Sequence, residues 1–506
     1  MLRIENISDA DHLKQIALLL QGENDRLHRR LDDLVRENAK LKGQDGERQL
    51  ELEIQRLQAQ MSKLQKMMFG ASSERRKGDG GDEPGEQEKK SQTGHGPTEQ
   101  PELPRVEEVH ELPEEARVCE LCGGVLDEWK GQEETTEEVS VVRRVFVLKQ
   151  HKQKKYRCKC GGCIKLAEKP ARLVDGGRYS TEFAVEVAVE KYLDHMPLER
   201  QVRKMRREGL RVTSQALWDQ LWFLSRALKP VYERLKPYIL SFPVISADES
   251  VWYLLEKGGR KRWYVWGAAC PFAVYYRLDP SRSGEVAVEL LGDYGGKIIT
   301  DGYQGYNGLS RDGPHGGKAT IVNCWAHARR KFVECEQDYP DECEKALKMI
   351  RGLYEVEKQV PNPWSLPEAE REQAFSLLAR QRDERSRAIT EELKEWAREQ
   401  LSLPESTFRE ALEYMLGHWK GLTAFLDDPR VPLDNNRIER GFRGPVVGRK
   451  NHYGSKSKRG TEVAAIFYSL IESAKLCGLD PREYLLSATE AALADPGTAL
   501  MPHELL

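Results

Sequence analysis

The sequence predicts a multidomain α+β protein. Three observations carry that reading. Leucines recur every seven residues near the N-terminus, and two groups of cysteines follow a polar stretch. From Val244 onward, strand-length apolar runs are interleaved with helical segments. At 506 residues the chain is too long for one ordinary core, which fits three or more structural units.

Residues 1–70 read as an oligomerisation helix. Leu13, Leu20, Leu27, Leu34 and Leu41 mark one seam of a heptad, and Ala17, Asn24, Leu31 and Asn38 fill the other. Asn at such positions costs stability but fixes register, so the segment is expected to form a coiled coil that makes the protein a homodimer or higher oligomer. Residues 71–108 are rich in Gly, Pro, Glu, Gln, Lys and Ser; they cannot bury a core and read as a disordered linker.

Ten cysteines are present, and five fall between Cys119 and Cys163. That clustering in a long chain points to a metal site rather than a disulfide framework. Cys119-Glu-Leu-Cys122, followed by two glycines, is a zinc knuckle. The second group, Cys158-Lys-Cys160-Gly-Gly-Cys163, completes a tetrahedral thiolate site for one structural Zn²⁺, through Cys160 and Cys163 or through a pair that includes Cys158. The zinc module is placed at 109–168, with strand-like residues over Val139–Val147. Its basic stretch Arg143–Lys159 contains no acid. Lys154, Lys155 and Arg157 are candidate DNA-phosphate contacts there, against the plainer reading of a solvated ribbon.

Residues 169–240 read as helices, with a turn at Arg207–Thr213 that suggests a helix-turn-helix-like DNA-binding region. The catalytic core begins at 241. VISADESVWYLL, RWYVWGAA, FAVYYRL and GKIITD are four strand-length runs, with a helix expected over VAVELLGDY. The first part of the core, 241–340, precedes a charged helical insertion at 341–425. The second part occupies 426–475, and 476–506 reads as a C-terminal tail.

Three acids stand at chemically telling places: Asp248 in the first strand, Asp301 at the end of GKIITD, and Glu439 on a helix that Asp434 is expected to cap. An RNase H-like α/β core supplies metal ligands in this order. Two-metal phosphodiester chemistry needs hard oxygens converging on two divalent cations about 4 Å apart. Taken singly, each acid reads more readily as a turn or cap residue. The net charge is only −3, with 32% charged residues, so a nucleic-acid footprint has to be local. Arg437–Arg459 is such a cluster, with Glu439 as its single acid. Arg443, Arg449 and Lys450 are the expected DNA contacts, with Gly444, Pro445 and Gly448 expected to break the helix between them. Cys324-Trp-Ala-His327 adds possible support for the active site. His327 either orients DNA or a metal-bound water, or makes a local hydrogen bond at a helix start.

MFGASSERR, the cysteine groups, KYLDHMPLERQ, ISADES, TDGYQGY, CWAHARRKF, DNNRIERGFRGPVVGRKNHYGS and AAIFYSLIESAKLCGLDPREYL together resemble the transposases of the insertion-sequence sixty-six family, over nearly the whole chain and in the family's order. CKCGGC departs from it by one extra cysteine. The resemblance implies a DDE-type enzyme that cleaves and joins DNA at terminal inverted repeats, with Asp248, Asp301 and Glu439 holding two Mg²⁺ or Mn²⁺. Double-stranded DNA is the implied partner, with small accessory proteins of the same element as further ones. Two rivals remain at this stage: a zinc-dependent DNA-binding regulator without catalysis, and an RNase H-like nuclease without strand transfer. No apolar run is long enough for a bilayer and no signal peptide is evident, so a cytoplasmic, nucleoid-associated protein is expected.

Overall fold

The computed structural model describes residues 116–117, 124–126 and 145–506, apart from 158–163, 169, 257–258, 312, 314–315 and 402–405. The coiled coil expected over 1–70, the linker over 71–108 and the zinc ligands Cys119, Cys122, Cys158, Cys160 and Cys163 lie outside the described residues. Residues 145–147 of the expected strand run are not in a strand. Instead, a small antiparallel pair joins β1 (Lys155–Arg157) to β2 (Ile164–Leu166). Lys154 and Lys155 are exposed there.

The centre of the fold is a five-stranded mixed sheet. Its strands are β3 (Val244–Glu256), β4 (Gly259–Ala269), β5 (Val274–Asp279), β6 (Lys297–Thr300) and β7 (Thr320–Asn323), in the order β5-β4-β3-β6-β7. β3, β4 and β5 form an antiparallel meander, and β6 and β7 run parallel to β3. The four apolar runs read from the sequence become β3 to β6. Helix α4 (Gly284–Leu291) falls where VAVELLGDY predicts one.

Three helices precede the sheet: α1 (Thr181–Tyr192), α2 (Leu198–Arg207) and α3 (Ser214–Leu240). Ser180 and Thr213 accept N–H bonds at the starts of α1 and α3, caps worth about 1 kcal/mol each. The apolar residues of α1 and α3, Val187 and Leu224 among them, share one buried core with the sheet residues Ile245, Trp266 and Tyr276. After β7 come α5 (Trp325–Cys335), α6 (Pro340–Glu357), α7 (Glu368–Gln381), α8 (Arg387–Gln400), α9 (Thr407–Gly417) and the one-turn α10 (Trp419–Leu422). These helices, which span the expected insertion at 341–425 and begin before it, pack around a second core that includes Trp325, Phe332, Leu393 and Phe408.

The chain then returns to the sheet as α11 (Asn436–His452), α12 (Lys458–Leu476) and α13 (Pro481–Ala494). α12 covers the edge strand: Ser473 and Ser469 accept the backbone N–H groups of Val274 and Tyr276, both at 2.9 Å, which satisfies donors that an open edge would leave to another chain. The segment expected as a tail holds α13 instead, with Tyr484, Leu485 and Ala488 buried in the first core. No helix among the described residues is long and apolar enough to cross a membrane.

Candidate active site at the ends of the parallel strands

The register of the sheet brings the first two acids level. β3 and β6 pair Val244 with Lys297 and Ser246 with Ile299; carried two residues further, the same register sets Asp248 beside Asp301. β6 and β7 pair Thr300 with Asn323, so Cys324 follows in the same row. Asp248 faces Gly267 on β4. A Cβ at Gly267 would lie 2.9 Å from the Phe442 ring and 3.0 Å from Ile438, so the missing side chain is what lets α11 settle on the sheet. Ile438 and Phe442 are buried there, and the first turn of α11 delivers Glu439.

The start of α11 differs from the expected cap. Asn435 occupies the N-cap position, but its side chain serves another purpose. The Asp434 carboxylate accepts the Asn436 N–H at 3.1 Å. Asn435, fully buried, donates from Nδ2 to the Ala247 carbonyl at 2.9 Å and from its backbone N–H to Cys324 Sγ at 3.2 Å. Trp325 N–H bonds the Leu433 carbonyl at 2.9 Å. The segment before Glu439 is thus tied both to the residue before Asp248 and to the start of α5.

Each strand acid keeps part of its carboxylate free. Asp248 accepts the Glu249 N–H at 2.8 Å, and Asp301 accepts the Tyr303 N–H at 2.8 Å. Loss of solvent, followed by the charges of Glu249, Asp301 and Glu439, raises the Asp248 pKa well above the usual carboxylate range. Glu249 is differently placed. Its Oε1 takes two bonds from Arg282, at 2.9 and 2.7 Å, and its Oε2 takes the Tyr306 hydroxyl at 2.8 Å. Around Asp301, Tyr414 donates to the backbone carbonyl at 2.6 Å. Gly302 adopts φ 92°, and a Cβ there would meet His418 Nε2 at 3.0 Å.

Cys324, His327 and Glu439 form a tighter group, with ligand-type atoms within 4.8 Å of one another. His327 Nδ1 lies 3.6 Å from Glu439 Oε1, and neither atom has a hydrogen-bond partner among the described residues. The three acids are not gathered that closely. Burial pushes the Cys324 thiol up to about 12, so it stays protonated and serves as acceptor for Asn435. Burial also lowers the His327 pKa against the pull of Glu439, which keeps the ring neutral beside the acid. Sequence spacing did not reveal Asn435, Tyr414 or the Arg282–Glu249 pair, because each acts through space across 33 or more residues of chain.

The structure changes the reading of the third basic cluster. α11 runs unbroken through Gly444, Pro445 and Gly448. The glycines mark close packing: a Cβ at Gly444 would meet Glu472 at 2.6 Å, and at Gly448 it would run into the Tyr468 hydroxyl. Arg443 and Lys450 are exposed, as a DNA contact requires. Arg449 is half-buried and donates to the Val251 carbonyl.

A mixed sheet with Asp248 just past the parallel β3–β6 pairing and Asp301 just past the end of β6, on a chain with a transposase's motifs, places the protein among the DNA-processing enzymes. The chain belongs to the Transposase IS66 family, which it matches over residues 176–463. It is 31% identical over 420 residues to the uncharacterized protein y4jD of Sinorhizobium fredii, covering 78% of each chain. It is also 27% identical over 435 residues to y4hP of the same organism, covering 81% of this chain and 76% of that one. The family match spans all three acids, Asn435 and the Cys324–His327 pair.

Proposed function

We propose that the protein cleaves DNA at the ends of an insertion sequence and joins the freed 3′-OH to target DNA, using Asp248, Asp301 and Glu439 on an RNase H-like sheet. The observation that carries this is the level placement of Asp248 and Asp301 on adjacent parallel strands beneath the helix that bears Glu439. The donor set fits divalent cations: all three acids offer hard oxygens, and Asp248 is held among acids rather than beside a neutralising cation. When bound, Mg²⁺ or Mn²⁺ would activate the attacking oxygen and stabilise the leaving one.

The chain's own residues set the geometry. Asn435 fixes the approach of α11 to β3, Gly267 leaves the space for it, and the neutral His327 ring flanks Glu439. Arg443 and Lys450, exposed on the same helix, neutralise the DNA backbone passing beside the acids. The predicted coiled coil supplies a dimer, and the predicted zinc module and helical region supply recognition of the element ends.

The test uses full-length protein and a labelled duplex carrying an element end, with Mg²⁺. Wild type yields strands joined through a 3′-OH. Asp248→Asn, Asp301→Asn and Glu439→Gln each lower cleavage and joining on the order of a thousandfold or more while end binding persists. Nicks without joined products would assign a nuclease instead. Binding without any cleavage by wild type would assign a regulator.

A further inference from the structure

β3 and β4 continue well past their neighbours. β6 pairs with β3 only over Val244–Ser246, and β5 pairs with β4 only over Tyr264–Ala269, whereas the two long strands stay paired from Ser246–Ala269 out to Glu256–Gly259. The outer part is therefore a two-stranded ribbon. Alternation gives it two unlike faces. Trp252, Leu254 and Trp263 are buried on one. The other carries Tyr253 opposite Arg262, Leu255 opposite Arg260, and Tyr264.

Arg260 and Arg262 are exposed and have no ion pair among the described residues. The Arg260 guanidinium lies 3.1 Å from the centroid of the Tyr253 ring, and that of Arg262 lies 5.6 Å from Tyr264. Stacking holds a guanidinium while leaving its in-plane N–H groups free to donate. Lys261, on the opposite face, is occupied by Glu256 at 3.0 Å.

The ribbon is fastened to the helix of the third acid. Arg449 donates to the Val251 carbonyl. The segment after α11 adds itself to β3: Ser455 N–H bonds the Tyr253 carbonyl at 2.9 Å, Leu255 N–H bonds the Ser455 carbonyl at 2.7 Å, and Trp252 Nε1 bonds Ser455 Oγ at 3.2 Å. Tyr453 and Gly454 both adopt positive φ, 62° and 111°, to make this turn, and a Cβ at Gly454 would strike the Tyr253 carbonyl. The ribbon and Glu439 thus form one fixed frame.

We propose that the outer face of this ribbon is a second contact for the DNA backbone, with Arg260 and Arg262 binding phosphates about half a helical turn from the scissile one. This rests on the reading of Asp248 as an active-site acid. Tyr253 and Leu255 are five and seven residues from Asp248, about 17 to 23 Å along a strand. Phosphates follow one another every 3.4 Å or so along a duplex strand, which puts the contacts about five to seven base pairs from the cut. Two exposed guanidiniums, without an ion pair among the described residues, suit a phosphate row. A deep pocket for a base is not required, so the contact is indifferent to sequence.

The experiment measures affinity across a salt series for the full chain, on an element-end duplex and on an unrelated duplex of equal length. Arg260→Gln with Arg262→Gln is expected to flatten the salt dependence by about two units on both duplexes. Ethylation interference should lose its signal five to seven base pairs from the cleavage site. Arg260→Lys with Arg262→Lys should keep the wild-type slope. Asp248→Asn should keep it too while cleavage fails, so loss of the catalytic reading and loss of this one are told apart. A glutamine variant with wild-type slope overturns the proposal, as does a loss confined to one duplex or an equal loss in the lysine variant. A change in self-association without any change in DNA affinity would make the ribbon a protein interface and also overturn it.

Discussion

Arg382 in the helical insertion and Asp248 beneath α11 are both ionisable groups withdrawn from water, yet their surroundings are opposite. Arg382 is 1% exposed. It reaches both oxygens of Glu357 at 2.7 Å and the carbonyls of Phe425 and Asp428 at 2.8 and 3.3 Å. Asp428, close by, is pushed up by burial but pulled further down by Arg430 and Lys297, and ends well below the ordinary carboxylate range. Asp248 has acids for neighbours and is raised instead. A buried charge that is paired and hydrogen-bonded serves the fold. One left among like charges strains the fold and is kept for a ligand that arrives later. The contrast separates the region that braces the molecule from the region proposed to do its chemistry.

The largest expected effect lies on the bracing side. Arg382→Ala leaves the Glu357 carboxylate and two carbonyls without their donor. The expected cost is about 3 to 5 kcal/mol, read as a lowered unfolding midpoint. A loss under about 1 kcal/mol would show that the pair does not hold the insertion together.

Asn435→Ala comes next. It strands the Ala247 carbonyl, at a cost of about 1 to 3 kcal/mol. Asn435 touches neither DNA nor cation in this reading, so the turnover number should fall while DNA affinity holds. Asn435→Asp keeps the shape but not the donor and should fail in the same way. If affinity falls and turnover does not, Asn435 belongs to binding rather than to the placement of Glu439.

The opposite sign is expected at Asp248. With a chelator present at neutral pH, Asp248→Asn removes a carboxylate crowded by Glu249, Asp301 and Glu439, and the unfolding midpoint should rise by a few degrees. Mg²⁺ should then stabilise wild type and leave the variant nearly unmoved. A destabilised variant would make Asp248 a structural acid like Asp428 and erase the contrast.

Much of this was legible from residues alone. The β-branched and aromatic runs that became β3 to β6 are apolar on a strand's scale, and Asp248 within the first and Asp301 at the end of the last stand where the sheet register levels them. The failures have a common cause. Gly444, Pro445 and Gly448 looked like helix breakers because local propensity was all that could be weighed. The two glycines serve close contact with Glu472 and Tyr468, which only the packing of α11 on α12 reveals. Arg449 looked like its neighbours until the β3 carbonyl claimed it. Asn435 drew no notice beside Asp434, the expected cap, because its partner Ala247 is 188 residues away.

The smallest effect concerns His452, a half-buried ring against Trp252 and Tyr468 of the first core, which stays neutral where Asp428 stays charged. In the neutral ring Nδ1 donates to the Gly454 carbonyl at 3.2 Å and Nε2 accepts from the Tyr468 hydroxyl at 3.3 Å. Burial, then Lys191 on α1, with His195 beside it, lowers its pKa to about 3. An unfolded histidine titrates near 6.5, so between those values the unfolded chain binds the extra proton and stability rises with pH. The contribution is complete above about 6.5 and drains away as pH falls toward 3, at up to about 1.4 kcal/mol per pH unit. Asp428 acts in another window: its contribution is present above about 3.9 and is lost only below that value. His452→Gln should therefore flatten the decline of the unfolding midpoint between pH 6.5 and 4 and leave the curve above 6.5 parallel to wild type. Unchanged steepness between pH 6.5 and 4 would mean that the ring is charged in the native state despite its half-buried place beside Trp252 and Tyr468.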